Sequence, residues 1–340
     1  MLPTIPVVAG TTVDLLRAQL PAARALVAQA RRMYTPVAVR VADAASRAWL
    51  ARTRNPYLAE MDALAAELGE PGLHLLNLSY EWGCTTGVAD GVLHRTLDWP
   101  FPGLGRHVAV LDGQGVAGRT LSVTWPGFAG ALTALAPGRF AVAINQAKAL
   151  HGPLTRVLEW PVTRLRVMAS TALPPTHLLR RVCDEAPDYD TAVRMLSETP
   201  LCMPVFFSIA AADGRGAVIE REPQRAHLHK APVACANHWH YPGLHGNTPR
   251  ALCRIDAAAP YTQGSRARHA AMLDRLATIG EGRPLNWLAA PILCPDTRLA
   301  CTLDAGRGRL TVVGVEGMAQ ATEILELTGG ADGGAPYALG

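Results

Sequence analysis

Charge is scarce in this chain of 340 residues. Only 18% are Asp, Glu, Lys or Arg, and the 32 basic residues outnumber the 28 acidic ones by four. The basic residues are mostly Arg and are scattered. No Lys/Arg block tracks a phosphate backbone, which argues against a nucleic-acid partner. No run of about 18 uninterrupted apolar residues occurs, so no transmembrane segment is expected. The opening Met1-Leu2-Pro3-Thr4-Ile5-Pro6 lacks a basic stretch followed by a long apolar run, so no signal peptide is expected. CxxC spacing is missing among the seven cysteines, Cys84, Cys183, Cys202, Cys235, Cys253, Cys294 and Cys301. An odd number without that spacing argues against a disulfide framework or a structural zinc site, and for a reducing, cytoplasmic setting. Internal repeats and interdomain linkers are also lacking.

What is present is a change of period. Residues 11–70 read as helical, with Thr12 as a candidate cap, Pro21 interrupting or restarting the first segment, and Pro71-Gly72 ending the region. From Thr85 the pattern shortens to strand-like runs at 87–98, 108–112, 120–125 and 140–145. Residues 178–196 read as one helix, and 265–276 as a second, rich in Arg and Ala. Runs at 206–211 and 216–220 flank Asp213-Gly214 as a hairpin, and 298–303 pairs with 309–315 as the last one. The tail after Leu327 is expected to fray. Helices, then strands, a helix, and strands again predict an α+β fold.

One cysteine stands apart by its neighbours. Gly83-Cys84-Thr85-Thr86 is followed by His94-Arg95-Thr96-Leu97-Asp98-Trp99. A chain cut at Gly83–Cys84 would place a nucleophile and a base on one residue, because a free α-amine with a pKa near 8 can take the thiol proton. A nearby Arg95 favours the thiolate, and a nearby Asp98 can hold the α-ammonium. The tetrahedral intermediate then needs donors for its oxyanion. Asn145, ending the strand 140–145, and Asn237, ending the apolar run 233–236, fit that need.

These residues resemble the N-terminal-nucleophile amidases of the acid ceramidase and N-acylethanolamine acid amidase group. In Gly-Cys-Thr-Thr they are also similar to the isopenicillin-N acyltransferase family. The segments that carry the likeness are Asn77-Leu78-Ser79-Tyr80-Glu81, Gly83 to Thr86, His94 to Trp99, Trp125 to Phe128, Ala143 to Asn145, Ala236 to Trp239, and Ser265 to Arg268. The resemblance implies a four-layer αββα sandwich of two antiparallel sheets with helices outside, Cys84 beginning a central strand. It implies self-cleavage of a zymogen into a helical segment, 1–83, and a catalytic segment, 84–340, that stay associated as one structural domain. Cys84 then corresponds to the nucleophile, and Arg95 and Asp98 to the pair that positions substrate and α-amine. Asn237 corresponds to the oxyanion-hole Asn, Asn145 to a second residue of that hole, and Arg268 to a supporting arginine, with Arg250 as its rival.

The expected activity is hydrolysis of the linear amide of N-acyl amines or N-acyl amino acids, without metal or cofactor. Acyl transfer to an amine, or a non-catalytic binding protein of the same fold, remain alternatives. The chain departs from the ceramidase branch in its short gap from Cys84 to Arg95, which requires a trimmed hairpin, and in Gln146, where that branch tends to carry an acid. His238, His240 and His245 form a cluster, but no third and fourth metal ligand at suitable spacing is evident. Trp99, Trp125, Phe128 and Trp239 suit either an acyl pocket or a core. Residues 12–33 present an amphipathic face that suits weak contact with a membrane surface or packing on the chain's own domain.

Overall fold

Period-3.6 sequence gives way to period-2 sequence just before the cysteine, and the structure, a computed structural model, changes from helix to strand there. It describes residues 1–78, 82–147, 167–244, 260–279, 284–329 and 337–338. Five helices precede Cys84: α1 (Thr12–Ala18), α2 (Leu20–Tyr34), α3 (Pro36–Arg52), α4 (Leu58–Leu68) and α5 (Leu73–Asn77). The cap of α1 is Thr11 rather than Thr12. Its hydroxyl accepts from the Asp14 N–H, and the Asp14 carboxylate accepts from the Thr11 N–H, a closed capping box. Pro21 sits in the first turn of α2, where its missing N–H costs nothing. Leu16, Ala23, Val27, Trp49, Leu50, Met61, Leu64 and Leu73 of these helices bury against one another in a cluster of their own.

The strands form two sheets. One contains β1 (Val7–Ala9), β4 (Ala109–Gly115), β5 (Gly118–Thr124), β6 (Thr133–Ala136), β7 (Phe140–Gln146), β8 (Val205–Ala211), β9 (Gly216–Arg221) and β10 (Ala226–Lys230), in that order. The other runs β11 (Val233–Cys235), β2 (Gly83–Ala89), β3 (Val92–Asp98), β12 (Thr297–Asp304), β13 (Arg309–Glu316), β15 (Leu325–Thr328) and β16 (Tyr337–Ala338), with β14 (Ala319–Gln320) beside β13. The sheets stack face to face. The Thr86 and Ser208 hydroxyls meet between them at 2.7 Å, and Asn145 of the first sheet reaches Thr86 of the second at 3.4 Å. Helices α6 (Pro175–Glu185) and α7 (Tyr189–Glu198) cover the first sheet, and α8 (Pro260–Leu276) covers the second. This is the four-layer αββα sandwich.

Four expectations are corrected. The first sheet is mixed, because β1 pairs with β4 in parallel (Val7 opposite Val110). The single helix expected at 178–196 is two, since Pro187 cannot continue a helix and the chain restarts on the Asp188 cap. Cys84 lies on the second strand of its sheet, beside the edge strand β11, rather than on a central one. The tail continues beyond Leu327 to Thr328 in β15, which pairs with β16. Among the described residues no helix is long and apolar enough to cross a membrane.

Candidate active site

A tight hairpin sets the geometry around Cys84. Strands β2 and β3 are joined by Asp90-Gly91, both at positive φ (49° and 76°), the two-residue turn that matches strand twist. Its register puts Cys84 opposite Leu97, Thr86 opposite Arg95, and Gly83 opposite Asp98. Opposed residues share a face and faces alternate along a strand. Cys84, Thr86 and Arg95 therefore point between the sheets, and Gly83, Thr85 and Asp98 point toward α8. Arg95 thus lies on the side of the Cys84 sulfur and Asp98 on the side of the Gly83–Cys84 backbone. A spacing of three sends them to opposite faces.

On the inner face the Arg95 Nη2 donates to Cys84 Sγ at 3.4 Å, and its Nη1 donates to the Leu132 carbonyl. Both side chains are fully buried. Burial pushes the Cys84 thiol up; Arg95 pulls it down, Asp98 pushes it up and Arg268 pulls it down, and the net shift is upward. The uncut chain therefore keeps this sulfur as an enclosed thiol.

On the outer face the backbone takes over. The Cys84 N–H donates to Asn237 Oδ1 at 3.0 Å. Arg268 Nη2 donates to the same oxygen at 2.8 Å, and Arg268 Nε donates to Thr85 Oγ1 at 3.0 Å. Asn237 Nδ2 donates to the Gln146 carbonyl at 2.9 Å. In this state Asn237 holds the cysteine nitrogen, and its amide donors point elsewhere. Asp98 Oδ1 accepts from the Thr297 hydroxyl at 2.8 Å, while Oδ2 lies 3.7 Å from Arg268 Nε. Burial pushes the Asp98 carboxyl up against the opposing pull of Arg268. A Cβ on Gly83 would stand 3.2 Å from Asp98 Cβ and 3.4 Å from Asp98 Oδ2, so the Asp98 carboxyl lies close to the Gly83–Cys84 bond.

Asn145 sits one layer back. Its Nδ2 donates to the Ala236 and Cys235 carbonyls at 3.1 and 3.3 Å, bracing the strand end that presents Asn237. Cys84, Arg95, Asp98, Asn237 and Arg268 are thus brought together and Asn145 supports them. Arg250 and His245 lie outside the described residues, as do Ser79, Tyr80, Glu81 and Cys253. Trp239 packs edge-on against Phe206, away from Trp99 and Trp125, which contact each other. Sequence reasoning did not single out Ser265, whose Oγ accepts the Asn237 N–H at 2.9 Å, or Thr297. Ser265 lies three residues before Arg268 on one helix face, a signal present in the Ser265 to Arg268 segment. Thr297 carried no signal.

The chain matches no protein-family profile. It is 28% identical to acid ceramidase of Homo sapiens over 100 residues, 29% of this chain and 24% of that protein. Over 102 residues it is 28% identical to the acid ceramidase of Heterocephalus glaber, 30% of this chain and 25% of that protein. The similarity is to acid ceramidase. The chain spans about a quarter of the length of these acid ceramidases. A solved N-acylethanolamine-hydrolyzing acid amidase ortholog of Caenorhabditis elegans superposes with a TM-score of 0.47 at 15% identity, covering 66% of this chain and 93% of that one.

Proposed function

We propose that this protein is a self-activating cysteine amidase that hydrolyses linear amides of N-acyl amines or N-acyl amino acids. The observation that carries the reading is the double hold on one residue. Arg95 contacts the Cys84 sulfur, and Asn237 accepts from the Cys84 nitrogen across a Gly–Cys bond flanked by a buried carboxyl.

In the proposed activation the Cys84 sulfur attacks the Gly83 carbonyl carbon. The C–N bond breaks, the nitrogen takes a proton to become the α-amine, and a thioester to Gly83 forms. Water cleaves that thioester, leaving Gly83 as a carboxylate and Cys84 with a free thiol and amine. The freed amine lies beside Asn237 Oδ1 and the Asp98 carboxyl. In turnover it takes the thiol proton, the thiolate next to Arg95 attacks the substrate carbonyl, the C–N bond breaks as the proton passes to the leaving amine, and water hydrolyses the resulting Cys84 thioester to the acid and the free thiol. In this reading Asn237 exchanges its Nδ2 bond to the Gln146 carbonyl for one to the oxyanion.

An apolar cavity of about 60 Å³ adjoins the site, lined in part by Leu26, Val27, Leu76, Trp99, Trp125 and Phe128. Trp99 directly follows Asp98, so the cavity supports an apolar acyl group on the substrate. Its walls come from both 1–83 and 84–340. Exposed Met33, Tyr34, Val37 and Val41 around the α2–α3 junction support weak contact with an apolar surface.

Denaturing mass spectrometry of the wild type and Cys84→Ala tests the reading. Wild type is expected to yield two fragments parting at Gly83–Cys84 and to hydrolyse N-acyl amides, and Cys84→Ala to do neither. Amide turnover by Cys84→Ala would overturn the mechanism.

A further inference from the structure

Behind the active-site layer, three histidines from two elements converge. His238 and His240 lie in the loop after β11, and His269 is on α8. One ring nitrogen from each lies within 4.8 Å of the others. The ring centroids are 4.5 Å apart for His238 and His240, 4.3 Å for His240 and His269, and 5.5 Å for His238 and His269. The third ligand that the sequence spacing failed to reveal arrives from a helix about thirty residues further on.

Each ring is also oriented through a neighbour. His238 Nδ1 contacts Ser265 Oγ at 2.8 Å, and His240 Nδ1 lies 3.3 Å from Glu220 Oε1. His269 hydrogen-bonds the Ala234 backbone. Imidazoles that bind metal are held this way, the second nitrogen donating to a carboxylate, carbonyl or hydroxyl. His240 Nε2 is buried and has no hydrogen-bond partner. Glu220 is fully buried beneath the cluster, where its Oε1 and Oε2 accept the His240 and Tyr241 N–H groups at 2.6 and 2.9 Å. It places a carboxylate behind His240, with His229 Nε2 3.5 Å from its other oxygen.

We propose that His238, His240 and His269 bind a divalent transition-metal ion, with zinc as the reference ion and water completing the coordination. Three imidazoles suit zinc, copper or nickel and disfavour magnesium or calcium. Tetrahedral nitrogens about 2 Å from zinc stand roughly 3.3 Å apart, so the widest pair closes by about 1.5 Å through side-chain rotation. The ion is structural with respect to Cys84. His238 follows Asn237 and His269 follows Arg268, so zinc ties the loop that holds the cysteine nitrogen to the helix that holds Asn237.

The test is calorimetric titration of zinc into the purified full chain after chelator treatment, with cobalt absorption as a second readout. One ion per chain is expected, with a dissociation constant of about 1 μM or tighter. His269→Ala and His240→Asn, each checked for an unchanged circular dichroism spectrum, are expected to weaken binding by about 100-fold or more. Cys84→Ala keeps the ion, which separates this site from the amidase reading. Absence of binding, unchanged affinity in both histidine variants, or a cobalt spectrum with thiolate charge transfer would overturn the proposal.

Discussion

In the proposed mechanism, Arg95 is the residue on which the chemistry of Cys84 turns. Its guanidinium is fully buried, touches the sulfur, and is the largest influence holding the thiol down against burial. Removing it raises the thiol pKa, so the thiolate forms only at higher pH. In Arg95→Gln the rising limb of the pH–rate profile is expected to move upward and the rate at neutral pH to fall roughly 100-fold. Arg95→Lys recovers only part, since one ammonium cannot reach both the sulfur and the Leu132 carbonyl. The pH dependence of Cys84 alkylation in the processed protein reads the same shift independently. An unmoved limb would leave Arg95 as packing alone. At this scale the sequence was legible in identities and not in directions. Gly83, Cys84, Arg95, Asp98, Asn237 and Arg268 do converge, but their roles depend on which strand face each occupies, and that depends on a register set by the Asp90-Gly91 turn. Ser265 and Thr297 were missed because a hydroxyl that serves a neighbour looks like any other hydroxyl.

Helix α8 is the element that completes the site, and its stripe explains how. Ser265, Arg268, Met272 and Leu276 succeed one another at helical spacing, and the strand beneath presents Thr85 and Gly87 on its outer face. Arg268 reaches Thr85, while Met272 and Leu276 cover Gly87. A Cβ on Gly87 would meet Met272 Sδ at 2.7 Å and Cγ at 2.8 Å, in a position where Met272 is fully buried. Gly87→Ala is expected to cost about 1–3 kcal/mol and to lift α8. The lift draws Arg268 away from Thr85 and Asn237, so cleavage at Gly83–Cys84 slows. Pairing Gly87→Ala with Met272→Ala makes room and should recover much of the melting temperature; strictly additive losses in that double variant would refute the contact. The hairpin around Asp213-Gly214 was legible, because Asp-Gly between two apolar runs marks a turn, whereas the run read at 87–98 is divided by the Asp90-Gly91 turn. The three-residue β1 was not legible, since its strand character comes from pairing with β4 and not from its own pattern.

At the scale of the molecule, the order of elements permitted the αββα layering without requiring it. Which sheet a strand joins is decided by long-range pairings such as β3 with β12, some two hundred residues apart. Long-range contacts of the same kind decide whether a chain cut after Gly83 stays in one piece. Segment 1–83 pairs β1 with β4, and buries Ile5, Leu26, Ala30 and Trp82 in the core that the sheets share. Glu60 grips Arg180 through two hydrogen bonds of 2.7 and 2.8 Å, and Trp49 Nε1 donates to the Ser170 carbonyl at 3.2 Å. Asn77 spans the divide most closely. Its Nδ2 donates to the Gly127 carbonyl at 2.9 Å, and its Oδ1 accepts the Ala129 N–H at 2.7 Å. Each large apolar side chain that 1–83 buries against the sheets contributes about 1.5–3 kcal/mol toward holding the proposed fragments together. The two fragments are expected to elute as one species in native buffer and to part only in denaturant. Asn77→Ala strands a buried donor and a carbonyl, costing about 1–3 kcal/mol, and should lower the urea concentration at which they separate. Size-exclusion chromatography across a urea series reads both. Free 1–83 fragment in native buffer would mean that these contacts do not hold the cut chain together.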